Sequence, residues 1–183
     1  MTRGLPRTLA RAAAREAGLA PPRPGLKAVT TGQGGSYRTV FTFAGMQVPV
    51  TDALAYAGQK IFDFTDGKVR IKGGTARLQF AVPTTRASTI NDNAALTWSL
   101  GSAAASSATL ASTMVNVLAS TARTLDGVGA ALSTASTADI AAAATLDGTV
   151  TPVDLYLNLA FDADGTIAVT GTITLLWENW GDV

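Results

Sequence analysis

The chain has 183 residues, a net charge of +1 and only 15% charged side chains. It contains neither Cys nor His, which excludes disulfides, thiol nucleophiles, Cys/His zinc sites and imidazole acid–base chemistry. The length suits one domain plus an arm, and the abundance of Ala, Thr, Ser and Gly fits both plain β domains and proteins packed in assemblies.

The charge is unevenly placed. Residues 1–27 carry Arg3, Arg7, Arg11, Arg15, Arg23 and Lys27 against Glu16 alone, a net +5, which leaves −4 for the remainder. No apolar run reaches the length of a membrane-spanning helix. Arginines interrupt any secretory core near the N-terminus, and the Arg-rich, acid-poor composition there is shared with mitochondrial transit peptides. Residues 7–17 are good helix formers, with Pro6 favouring a start and Gly18 a stop. Arg3, Arg7, Arg11 and Arg15 recur every fourth position, which on a helix makes one drifting stripe. The apolar face opposite is thin, so such a helix does not hold in isolation. Pro21, Pro22 and Pro24 follow in an extended spacer. A tail that orders on a partner through its arginines is the sharper expectation, and a plainly disordered tail the blander one.

Gly32, Gly34 and Gly35 lie in a short Gly-rich run that fails as a dinucleotide loop. Tyr37 stands where the last glycine of that pattern belongs, and no strand–helix context surrounds the run. From Tyr37 to Val50 the residues are mostly β formers, read as two short strands turning at Ala44–Gly45. Ile61, Phe62 and Phe64 precede a turn at Thr65–Gly67. Val69 and Ile71 then alternate with Lys68, Arg70 and Lys72. After Gly73–Gly74 the apolar parity moves to Ala76, Leu78, Phe80 and Val82, the pattern of a bulge or bend within one long strand. Leu96, Trp98 and Leu100 mark another strand. Residues 101–149 are Ala/Ser/Thr-rich, and propensity decides little there.

Residues 152–180 carry the strongest signal. Val153, Leu155, Leu157, Leu159 and Phe161 alternate with polar partners. Past Asp162–Gly165, Ile167, Val169, Ile173, Leu175 and Trp177 do the same. This reads as a long antiparallel hairpin with one buried face, which needs a second layer. The expected fold is therefore all-β: a jelly-roll or Greek-key β-sandwich of about eight strands, with a partly open barrel as the alternative. An extended, partly helical arm and Pro/Gly linker are expected over residues 1–36, and the sandwich over 37–183.

Few residues point to chemistry. Aligning Gly165 with the glycine of a calcium loop places Ala160 and Gly171 at ligand positions, so Asp162 and Asp164 read as turn residues. The pair Asp63 and Asp66 also lies at a turn, without the opposed spacing of a glycosidase. No Gly-x-Ser-x-Gly element and no His base accompany the serines. Trp98 and Trp177 fall on the apolar parity, whereas Trp180 has the opposite parity and is the surface candidate. The arginines of the arm lack interleaved aromatics, so base stacking is not implied.

Two segments resemble small tailed-bacteriophage virion proteins. QKIFDFTDGKVRIKGGTARLQF (59–80) is similar to a "D-F-P-x-G-x-I-x-I-x-G-A" segment, with Thr65 where proline is common. Residues 145–182 are similar to their C-terminal segment at Asp147, Gly148, Thr149, Asp154, Tyr156, Leu157 and Asn158. They match it again at Gly171, Thr172, Ile173, Thr174, Trp177, Asn179, Gly181 and Asp182. The resemblance implies a head decoration, or cement, protein, without catalysis or cofactor, placed on the capsid surface of the virion. Its implied partners are the major capsid protein and further copies of itself in a homotrimer, with neither nucleic acid nor membrane. Arg3, Arg7, Arg11, Arg15, Arg23 and Trp180 are the expected contact residues. The other expectation is a tail-fibre or surface module that recognises a glycan or another receptor through Trp180.

Overall fold

The computed structural model describes residues 23–50, 55–81, 94–125, 134–141, 144–161 and 165–181. Within them lie β1 (Leu26–Gln33), β2 (Ser36–Val50), β3 (Tyr56–Asp63), β4 (Gly67–Ala81), β5 (Ala94–Gly101), β6 (Leu118–Leu125), β7 (Thr134–Ile140), β8 (Thr145–Gly148), β9 (Asp154–Phe161) and β10 (Gly165–Asn179). One sheet runs β1-β2-β10-β4-β7, with β8 also paired to β4, and the other runs β3-β9-β5-β6. Every pairing is antiparallel. Strands pair as nested partners: β2 with β10, β3 with β9, β4 with β7 and β8, and β5 with β6. Because these nested pairs are split between the two sheets and six of the nine connections cross from one to the other, the fold is a jelly roll. Strand β1 is an addition at the edge of the larger sheet.

Alternation decides which side of each strand is buried. Phe41, Phe43, Val69, Ile71, Leu78 and Phe80 from the larger sheet meet Ile61, Phe62, Leu96, Trp98, Leu155 and Leu157 from the smaller in one core. One half of it is aromatic. Phe62 stands edge-on to Phe41 and Phe64, at 5.4 and 5.2 Å between ring centres, and Phe64 stands edge-on to Trp177 at 5.1 Å. These are favoured quadrupole arrangements. The two buried indoles find hydroxyl acceptors. Trp177 Nε1 donates to Thr39 Oγ1 at 2.9 Å and Trp98 Nε1 to Ser136 Oγ at 3.0 Å.

Three expectations are revised. The stretch 152–180 is no hairpin: β9 belongs to the smaller sheet and β10 to the larger, so its two apolar rows face each other across the core. Period-2 alternation names the buried face, not the ladder partner. The expected turn at Ala44–Gly45 is a bulge inside β2, where Ala44 and Met46 pair with Thr170 and Val169 and Gly45 is the extra residue. Its φ of 74° suits glycine, and the buried parity moves from Phe41 and Phe43 to Met46, Val48 and Val50. The Gly73–Gly74 shift is likewise a bulge, as expected, with Lys72 the extra residue between Ile71 and Gly73. Residues 26–33, expected in the linker, form β1 and pair with β2 along their length. The expected helix over 7–17, with Arg3, Arg7, Arg11 and Arg15, lies outside the described residues.

Residues 102–117 form a strap with a single 3-10 turn, Ser112–Met114. It lies on the outer side of the smaller sheet, where Asn158 is fully buried beneath it. Leu110 and Met114 pack there on Ala160 in a second, small apolar cluster.

Candidate interaction surface

Several residues of the segments 59–80 and 145–182 act as fasteners within the fold. Asn158 Oδ1 accepts from the Ala105 N–H at 2.8 Å, while Nδ2 donates to the carbonyls of Ala103 and Met114 at 3.0 and 2.9 Å. Asp147 Oδ1 accepts from the Thr149 N–H and hydroxyl, at 3.1 and 2.7 Å, closing the turn after β8. Those bonds hold its carboxyl below the usual range. Asn179 Nδ2 donates to Thr65 Oγ1 and the Asp66 carbonyl, tying β10 to the β3–β4 turn. Trp177 anchors the core, as its parity predicts. These segments therefore encode strand geometry and fasteners.

Asp154 and Tyr156 form a second polar knot on the outer side of β3 and β9. Lys60 bridges Asp63 and Asp154, with Nζ 2.8 Å from Asp154 Oδ1. The Tyr156 hydroxyl donates to Asp154 Oδ2 at 3.0 Å. Burial pushes Asp63 upward, and the neighbouring Asp154 adds to this against the pull of Lys60. Burial acts on Asp154 in the same sense, but hydrogen bonds from Lys60, Asp63 and Tyr156 outweigh it and leave its pKa lowered. Cross-strand neighbours that share one cation make a fastener between β3 and β9. Asp66 stands apart, exposed at its turn, and Asp162 and Asp164 lie outside the described residues.

The outer side of the larger sheet is different in character. Alternation places Lys27, Val29 and Thr31 of β1, Arg38 and Val40 of β2, Lys68, Arg70, Lys72 and Arg77 of β4, and Leu176 and Glu178 of β10 on it. Val29 and Leu176 are 47% and 41% exposed. Lys72 pairs with Glu178 at 3.3 Å. Trp180 is 44% exposed, as expected. The Arg70 guanidinium stands 5.3 Å over its ring, and its Nε1 donates to Glu178 Oε2 at 3.3 Å. An open depression of ≈ 400 Å³ lies here, lined by Thr31, Ser36, Arg38, Lys72, Leu176 and Glu178.

Arg23 is exposed where the chain enters β1, its carbonyl accepting from the Leu26 N–H at 3.2 Å. Trp180 sits at the other end of the sheet, beside Lys68, with Asn179 bonded to Gly35 at the β1–β2 turn. The length of β1, roughly 23 Å at strand rise, separates them, so the structure does not bring these two expected contact residues together. Sequence reasoning missed Arg38, Lys72 and Leu176. The available signal was Leu176, an apolar residue on the polar parity of β10.

No family model matches the chain, and no curated protein matches it. Among solved structures it is similar to an arabinose-bound α-L-arabinofuranosidase, MgGH51, at 16% identity and a TM-score of 0.38. The alignment covers 90% of this chain but 24% of that enzyme, so the chain spans about a quarter of its length. A likeness of that size carries no argument about activity.

Proposed function

We propose that the protein is a non-enzymatic phage decoration protein that binds the major capsid protein shell from the outside and stiffens it. One observation carries the reading. The outer side of the β1-β2-β10-β4-β7 sheet presents exposed Val29 and Leu176 within a cationic rim of Lys27, Arg38, Arg70 and Lys72. An apolar centre with a polar rim is the anatomy of a docking face. The arginine-bearing segment 1–22 is joined through Arg23 to the strand at the edge of that same face, so arm and face can grip one partner together. Such linkage raises the effective concentration of the second contact once the first is made. The two-layer body with its knots at Asn158, Asn179 and Lys60 supplies the rigid block that a cement protein needs. Rim charges steer encounter and specificity more than they add affinity.

The test is co-sedimentation with purified heads of the virus that encodes the chain, using the full chain and a variant lacking residues 1–22. Truncation to residue 27 would cut into β1 and confound the result. The full chain is expected on the heads and the truncated chain is expected to be depleted from them. A full chain that stays in the supernatant refutes the reading. Glycan recognition through Trp180 has one ring face already covered by Arg70; glycan-array binding without affinity for heads would favour it.

A further inference from the structure

We infer that the depression between Arg38 and Lys72 is a notch for an acidic, extended segment of a partner protein, with an apolar side chain seated on Leu176 and carboxylates on the two cations. The inference rests on the reading of this face as a docking face and names where on it the partner is held.

Backbone register builds the notch. Arg38 of β2 lies directly across from Leu176 of β10, and Leu176 lies across from Gly73 of β4. Lys72 is the residue that the register skips. A bulge of this kind re-aims the side chain it carries, and here Lys72 turns towards Glu178 at the rim. Gly73, directly across from Leu176, has no side chain to shade it, and Leu176 remains 41% exposed in the middle of a sheet. Arg38 and β4 are two strand spacings apart, roughly 10 Å. That width seats one extended chain, whose alternate side chains reach the floor.

Charge selects the occupant. Among the described residues no carboxylate forms an ion pair with Arg38, whereas Lys72 has Glu178. The hydroxyls of Thr31 and Ser36 line the same depression, and Lys27 and Arg70 lie on the same side of the sheet. An unpaired arginine and a surplus of cations around an exposed leucine call for carboxylates around an apolar group. A nucleic acid fits less well, because it offers nothing that needs Leu176.

The experiment uses the full chain and two probes, poly-L-glutamate and the random copolymer poly(Glu-Tyr). Affinity is read by anisotropy and location by amide chemical shifts. The copolymer is expected to bind more tightly than poly-L-glutamate, with shifts centred on residues 31–38, 71–74 and 174–178. Arg38→Glu and Leu176→Ser are each expected to weaken copolymer binding about tenfold or more. Arg77→Glu, on the same face outside the notch, is expected to change it by less than about threefold. Both mutated notch residues are exposed, and an unchanged Tm verifies that the variants fold. Equal losses for Arg38→Glu and Arg77→Glu would overturn the notch in favour of bulk charge. No preference for the copolymer, or tighter binding of duplex DNA lost in the same variants, would overturn it as well. Decoration of heads by Arg38→Glu at the wild-type level removes the notch and leaves the decoration reading standing. Copolymer binding through the notch by a protein that ignores heads does the reverse.

Discussion

Replacing Asn158 by Ala tests the idea that the residues of segment 145–182 act as fasteners. Asn158 is fully buried between β9 and the strap 102–117. Its side chain makes three hydrogen bonds, with the Ala105 N–H and with the carbonyls of Ala103 and Met114. The Met114 carbonyl keeps a second donor, Ser99 Oγ at 2.8 Å, so it is not orphaned. Each of the three bonds is worth about 1 kcal/mol net, and a group left buried without a partner costs about 1–3 kcal/mol. Local peeling of the strap lets the freed groups reach water, which holds the total near the lower sum, about 3 kcal/mol. For a chain of this size that corresponds to a fall in Tm of roughly 6–12 °C. Thermal unfolding measures the fall, and hydrogen exchange locates it. Amides of 103–117 are expected to lose protection while those of β2 and β10 keep theirs. A Tm within about 2 °C of wild type, with the strap still protected, would refute the fastener account.

Gly171→Ala is expected to cost several degrees in Tm or to abolish soluble expression. Gly171 has φ of 133°, and a Cβ there would overlap the Arg77 carbonyl on β4. Trp177→Phe should lower stability by about 1–3 kcal/mol in urea titration, since Thr39 Oγ1 loses its buried donor and the core loses volume. For pH, Asp154 has a lowered folded pKa, so its contribution is present above its unfolded value and is lost as the pH falls through the folded one. Asp63, raised, contributes in the opposite sense: fully below its unfolded value, fading as the pH rises through the folded one. Asp154→Asn should therefore flatten the acid limb of the stability–pH curve, and Asp63→Asn should leave that limb steep. Equal curves for both variants would count against the knot.

What the sequence made legible was the side on which each residue falls. The inner rows of β9 and β10, the parity shift at Gly73–Gly74, buried Trp177 and exposed Trp180 all follow from period-2 reasoning on strands that are buried on one face. Alternation is silent about which strand lies next to which, so β9 and β10 read as a hairpin although the chain crosses between layers. Gly45 looked like a turn because a bulge and a tight turn both ask for a positive φ. The strap was illegible because its Ala/Ser-rich residues have no period of their own and are held by Asn158, far away in sequence. The cationic outer side of the larger sheet was half legible. Lys68, Arg70 and Lys72 visibly alternate, but Arg38 joins them only through the β2–β10 register.

A cryo-EM map of heads incubated with the full chain tests the central claim most directly. The account predicts density for the jelly roll on the outer shell, with the β1-β2-β10-β4-β7 sheet turned inwards and Arg38, Leu176 and Lys72 against acidic capsid surface. Undecorated heads, or a body seated through the strap side with that sheet facing solvent, would contradict it.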